Sequence, residues 1–119
     1  MPFAKTANCA LVLLDDALEF LQSIPDSAKD KVYYNIHRIE CGEKNSEIFK
    51  KLEGSNIWEF RTLFNKAAYR LFAFWDTTED KALVVATHGI IKKSRKTPQK
   101  EITKAESIRA DYFKTKNDE

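Results

Sequence analysis

"NIWEFRTLFNKAAYRLFAFWD", residues 56–76, decides the fold. Trp58, Phe60 and Thr62 alternate with Ile57, Glu59, Arg61 and Leu63, the period of a strand rather than a helix. The aromatic-rich run 67–76 reads as the next strand, and a turn centred on Asn65-Lys66 pairs Phe64 with Ala67. That register puts Arg61 directly opposite Arg70, with both side chains on one face. Like charges facing each other across a ladder weaken it by roughly 0.2–1 kcal/mol. Two arrangements relieve the cost: Glu59, on the same face, pairs with Arg61 as a surface ion pair, or an anion sits between the two guanidinium forks, which suit a phosphate.

Outward from this hairpin, "KALVVATHG" (81–89) reads as a third strand after the polar turn "TTED". Upstream, "ALVLLDDALEFLQSI" passes from an apolar run to helical spacing near Asp15, with Asp15 or Asp16 as N-cap, and Pro25 ends that helix. Asp26 or Ser27 opens a second helix through "SAKDKVYYNIHRIE", stopped by Gly42. "NSEIFKKL" reads as a helical turn or two ending near Gly54. Thr97 as N-cap and Pro98 at the first helical position open a last helix with a stripe of Ile102, Ala105, Ile108 and Tyr112. The tail 114–119 is expected to be disordered. These elements predict one α+β domain over 1–119: a helical hairpin packed on a mainly antiparallel four-stranded sheet, with a C-terminal helix. Helices on one face would leave the other for a partner.

Composition narrows the function. No apolar run reaches the roughly 18 residues of a membrane span, and acidic residues follow the N-terminus too early for a secretory signal, so a cytoplasmic protein without membrane contact is expected. Cys9 and Cys41 fit neither a metal-ligand spacing nor a disulfide scaffold. The net charge of +2 hides an asymmetry: residues 1–60 carry 7 basic and 10 acidic side chains, residues 61–119 carry 13 and 8. Such segregation points to a basic face and an anionic partner. The run Lys92, Lys93, Arg95 and Lys96 is a basic loop leaving the last strand, and Lys50 and Lys51 form a second basic pair. His88 has the only side chain near this loop that ordinarily titrates around neutrality, which suits a general acid or base, although a strand-end histidine can equally be a hydrogen-bonded structural residue. Glu59 is an alternative base. The strand aromatics read mainly as core. No carboxylate–histidine cluster, phosphate-cradling glycine loop or Ser-His-Asp set is evident, and neither metal nor cofactor is implied.

"KKLEG" (50–54), "IWEFR" (57–61), "YRLFAFW" (69–75) and "THGIIKKSRKTPQKEITKAE" (87–106) together resemble the phage-derived, HigB-like branch of the RelE/ParE toxin superfamily. The resemblance implies a RelE-like toxin of a type II toxin–antitoxin system, a metal-independent endoribonuclease that cleaves messenger RNA on the ribosome. It implies an antitoxin partner with a helix-turn-helix domain. Position by position, Arg70 matches the family's strand arginine, Arg61 a recurrent arginine, and Lys92 or Lys93 lies near the basic position after the next strand. The resemblance thus implies catalytic roles for Arg70, Arg61 and Lys92; His88, singled out by its ordinary titration range, completes the candidate catalytic group, and Lys50, Lys51, Lys93, Arg95 and Lys96 are the candidates for holding RNA. Ile57 and Glu59 depart from the lysines that RelE carries on this strand, and the last helix lacks an evident counterpart of RelE's catalytic tyrosine. A ParE-like gyrase poison and a noncatalytic, antitoxin-binding relic remain alternatives.

Overall fold

The hairpin at Asn65-Lys66 forms as its sequence predicts. Both turn residues take positive φ, 49° and 67°, the twist that joins two strands through a two-residue loop. Phe64 then pairs with Ala67 and Arg61 with Arg70. The computed structural model describes residues 9–92 and 96–118. Along the chain these form β1 (Ala10–Leu13), α1 (Asp15–Ser23), α2 (Asp26–Glu40), β2 (Phe49–Lys51), β3 (Trp58–Phe64), β4 (Ala67–Asp76), β5 (Leu83–Lys92) and α3 (Gln99–Asn117). The sheet order is β1-β5-β4-β3-β2. Among the described strands only the β1–β5 pair is parallel, and α1 and α2 carry the chain from β1 at one edge of the sheet to β2 at the other. The α+β class holds, and no helix among the described residues is long and apolar enough to cross a membrane.

The sheet has five strands rather than four. Phe49–Lys51, expected within a helical turn, is an edge strand whose Phe49 faces Phe60 in register. Its ring stacks on Phe60 and Trp58 at centroid distances of 4.3 and 4.8 Å. Burial in this aromatic cluster outweighs the weak local preference of so short a segment.

Helices cover both faces of the sheet, whereas one covered face was expected. Leu71 and Ala73 face Leu21, Val32 and Ile36 of α1 and α2. Phe72, Phe74 and Val85 face Ala105, Ile102 and Tyr112 of α3. Phe72 and Phe74 are almost fully buried, each stabilising the α3 layer by about 2 kcal/mol. A bulge between Phe72 and Ala73 keeps His88 paired with Phe72 on the α3 side. Gly89 admits the opposite layer: a Cβ there would stand 2.2 Å from the Phe20 ring of α1.

Helix ends also differ from expectation. Leu14, Pro25 and Pro98 occupy the N-cap positions without side-chain caps, so Asp15, Asp26 and Thr97 do not serve as caps. Gly42 does stop α2, at φ 98°, with its N–H on the Ile39 carbonyl at 2.9 Å. The tail expected to fray is helical through Asn117. Asp76, fully buried at the end of β4, accepts Tyr112 Oη at 2.6 Å and Lys116 Nζ at 2.7 Å. Burial would raise this carboxyl, but hydrogen bonds from Lys116, Thr78 and Tyr112 outweigh it and hold Asp76 far below the usual carboxylate range.

Candidate functional site

Strand alternation sends Glu59, Arg61 and Leu63 of β3 and Ala68 and Arg70 of β4 to the α3 side, but α3 does not reach over all of them. What it leaves uncovered is a cleft of about 820 Å³, walled by Lys50, Leu52 and Glu53 on one side and by Lys96, Thr97, Gln99 and Ile102 on the other. At its floor the paired arginines share Glu59. Glu59 Oε1 lies 3.5 Å from Arg61 Nε, and Oε2 lies 3.4 Å from Arg70 Nη1. Thr97 Oγ1 donates to the same Oε2 at 2.6 Å and accepts from Arg70 Nη1 at 3.0 Å. The carboxylate therefore bridges both guanidinium groups, where the sequence left open a surface pair with Arg61 or an anion between the two arginines.

The two arginines are not equivalent. Arg70 is 2% exposed and Glu59 likewise 2%, so they form a buried ion pair that needs its hydrogen bonds to offset desolvation. The Arg61 side chain keeps 30% of its surface and presents its guanidinium to the cleft. With Arg61 counted, four basic and three acidic side chains line the cleft. The site is a mixed-charge cleft with an accessible arginine, suited to an anion that can displace water from a guanidinium fork.

Lys50 stands opposite Glu59 in register and lines the cleft; Lys51 stands opposite Trp58 and belongs to the other face. Lys96 lines the cleft. Lys92, opposite Ala68 at the end of β5, donates its ammonium group to the Lys96 carbonyl. Lys93 and Arg95 lie outside the described residues. Trp58 and Trp75 are half-buried on the α1–α2 side, edge to face with each other at 6.3 Å, away from the cleft.

His88 sits under the first turn of α3, not in the cleft wall. Its side chain is 4% exposed, and its ring lies 4.9 Å from that of Phe72. Nε2 is 3.0 Å from Glu101 Oε1 and Nδ1 is 3.0 Å from Thr87 Oγ1. A carboxylate only accepts, so Glu101 assigns the ring proton to Nε2. Burial pushes the His88 pKa below its ordinary value, outweighing the opposing pull of Glu101. The ring is a neutral strut between β5 and α3.

Thr97 is the residue that sequence reasoning misplaced, having read it as a helix cap. Leu63, 72% exposed at the cleft rim, also went unremarked; its position two residues beyond Arg61 on the same strand face was the available signal.

A family profile described as "Phage derived protein Gp49-like (DUF891)" matches residues 19–110. No curated protein matches the chain. A solved structure, the intact E. coli RelBE toxin–antitoxin complex, is similar at 14% identity over 74% of this chain and 99% of that chain, with a TM-score of 0.48.

Proposed function

The chain belongs to the phage-derived Gp49-like family, and from that premise we propose that it is a RelE-like toxin that cuts messenger RNA at the Arg61 cleft. The observation that carries the proposal is the Arg61–Arg70 register pair, with Arg61 open to the cleft and Arg70 packed behind it. In the cutting step the RNA 2′-oxygen bonds to phosphorus, the bond to the 5′-oxygen breaks, and a 2′,3′-cyclic phosphate and a 5′-hydroxyl result. One proton leaves the 2′-hydroxyl and one reaches the departing 5′-oxygen.

Charge stabilisation is the contribution that this cleft supports most directly. The phosphorane carries more negative charge than the ground state, so a guanidinium held in place favours it selectively. Arg61 takes this role, and Arg70 holds the floor through Glu59 and Thr97. Lys50 and Lys96 reach the flanking phosphates, and Lys92 braces the loop that bears Lys96. Lys93 and Arg95 add positive charge for RNA in this proposal. His88, neutral and buried, holds α3 and stands outside the proton transfers.

The partner in this reading is an antitoxin with a helix-turn-helix domain, and the substrate is a message on the ribosome. Inducing the chain with and without the neighbouring small gene, then mapping transcript 5′ ends, tests both parts. New ends that disappear when the neighbour is co-expressed support it. Arrested growth with intact transcripts contradicts it.

A further inference from the structure

Thr97 stands directly before Pro98, the N-cap of α3, yet its hydroxyl makes no cap bond to the helix. That hydroxyl is spent instead on the sheet, as donor to Glu59 Oε2 and acceptor from Arg70 Nη1. Glu59 meanwhile has guanidinium groups on both sides at nearly equal separations, 3.4 Å to Arg70 and 3.5 Å to Arg61. Coulomb attraction at such similar distances does not choose between them. The short bond from Thr97 falls on the oxygen that faces Arg70, and it breaks the tie. Among the described residues, the terminal nitrogens of Arg61 enter no hydrogen bond, whereas the contact to Glu59 uses only its Nε.

We propose that Thr97 is a positioning residue that fastens the Glu59 carboxylate toward Arg70 and so prevents it from closing a bidentate pair with Arg61. A carboxylate and a phosphate compete for the same planar fork. Freed from Thr97, Glu59 swings onto Arg61 and occupies the place that the RNA phosphate takes. The start of α3 thereby controls whether the accessible arginine is available. This inference rests on the reading of the cleft as an RNA site.

Thr97→Val keeps the branched shape and removes the hydroxyl; Thr97→Ser keeps the hydroxyl. Two readouts apply to folded protein: the Arg61 Nε–H resonance of the protein alone, and the Kd for a 2′-O-methylated RNA oligonucleotide that cannot be cut. Thr97→Val is expected to move the Arg61 resonance and to weaken RNA binding about tenfold, as when one charged contact is lost. Thr97→Ser leaves both near wild type. Adding Glu59→Gln to Thr97→Val restores the affinity, because the competing charge is gone. Should Thr97→Val not fold, Thr97→Cys, with its weak S–H donor, carries the same expectations.

A folded Thr97→Val with an unmoved Arg61 resonance and unchanged Kd overturns the inference. So does an equal loss of affinity in the Glu59→Gln background, which would assign Thr97 to packing alone. Failure of the RNA reading looks different: wild-type protein binds no RNA, while Thr97→Val still moves the Arg61 resonance.

Discussion

Arg61 stands directly across the β3–β4 ladder from Arg70, but the two differ tenfold in exposure, at 30% for the Arg61 side chain and 3% for that of Arg70. A substitution at each position should therefore fail in a different way. Arg61→Ala removes an accessible contact and should leave stability within about 0.5 kcal/mol of wild type. Arg70→Ala leaves the Glu59 carboxylate buried with less compensation and should cost about 3–5 kcal/mol. Urea unfolding of the two variants separates them. Equal losses would mean that both arginines are structural.

Adjacent lysines offer a test of the face. Lys50 pairs with Glu59 and lines the cleft, while Lys51 pairs with Trp58 on the other side. Lys50→Ala should lower the slope of log affinity against log salt by about 0.7, the contribution of one phosphate contact on a single strand. Lys51→Ala should leave the slope unchanged. Salt titration of RNA binding decides, and a Lys51 effect as large as that of Lys50 would place the RNA elsewhere.

His88 makes stability depend on pH in a defined direction. Its folded pKa is depressed by burial despite Glu101, so between the folded and unfolded values the unfolded chain binds more protons. The stabilisation is complete above the unfolded value of about 6.5 and is lost as pH falls through the folded one. Urea midpoints should therefore drop as pH falls below about 6.5. His88→Gln, which does not titrate, should flatten that part of the profile.

Asp76 anchors the far end of α3 through Tyr112 and Lys116. Asp76→Asn weakens charged hydrogen bonds and should cost about 2–3 kcal/mol. Because the folded Asp76 lies well below its ordinary value, its contribution is present above the unfolded pKa of about 3.9 and lost as pH falls toward the folded one. Amide exchange in residues 112–117 should accelerate in the variant. Unchanged protection there would show that apolar packing alone holds the helix end.

Much of this architecture is legible in the chain because it rests on local rules. Alternation and the Asn65-Lys66 turn fix which residues share a face, and from that follow the Arg61–Arg70 opposition and the placement of Glu59. Phe49–Lys51 escapes such reading because three residues show no period, and it pairs with Trp58–Phe60 across the connection 52–57 rather than through a two-residue turn with a recognisable signature. The second helical layer had a signal: Phe72 and Phe74 alternate with Leu71 and Ala73, so β4 is apolar on both faces and needs cover on both. Thr97 carried no such sign. A hydroxyl before Pro98 satisfies the local rule for a cap, and only the tertiary approach of Glu59 and Arg70 diverts it. His88 is comparable, since only the packing of α3 distinguishes a buried strut from a free imidazole.

The most direct measurement is single-turnover cutting of ribosome-bound messenger RNA by purified wild-type and Arg61→Ala protein, with chemical identification of the new ends. Wild type should produce 5′-hydroxyl and cyclic phosphate ends, and Arg61→Ala should cut about 100-fold more slowly, as loss of one preorganised charge-stabilising group predicts, at an unchanged melting temperature. Intact RNA with wild-type protein, or equal cutting by folded Arg61→Ala, would contradict the assignment of this cleft.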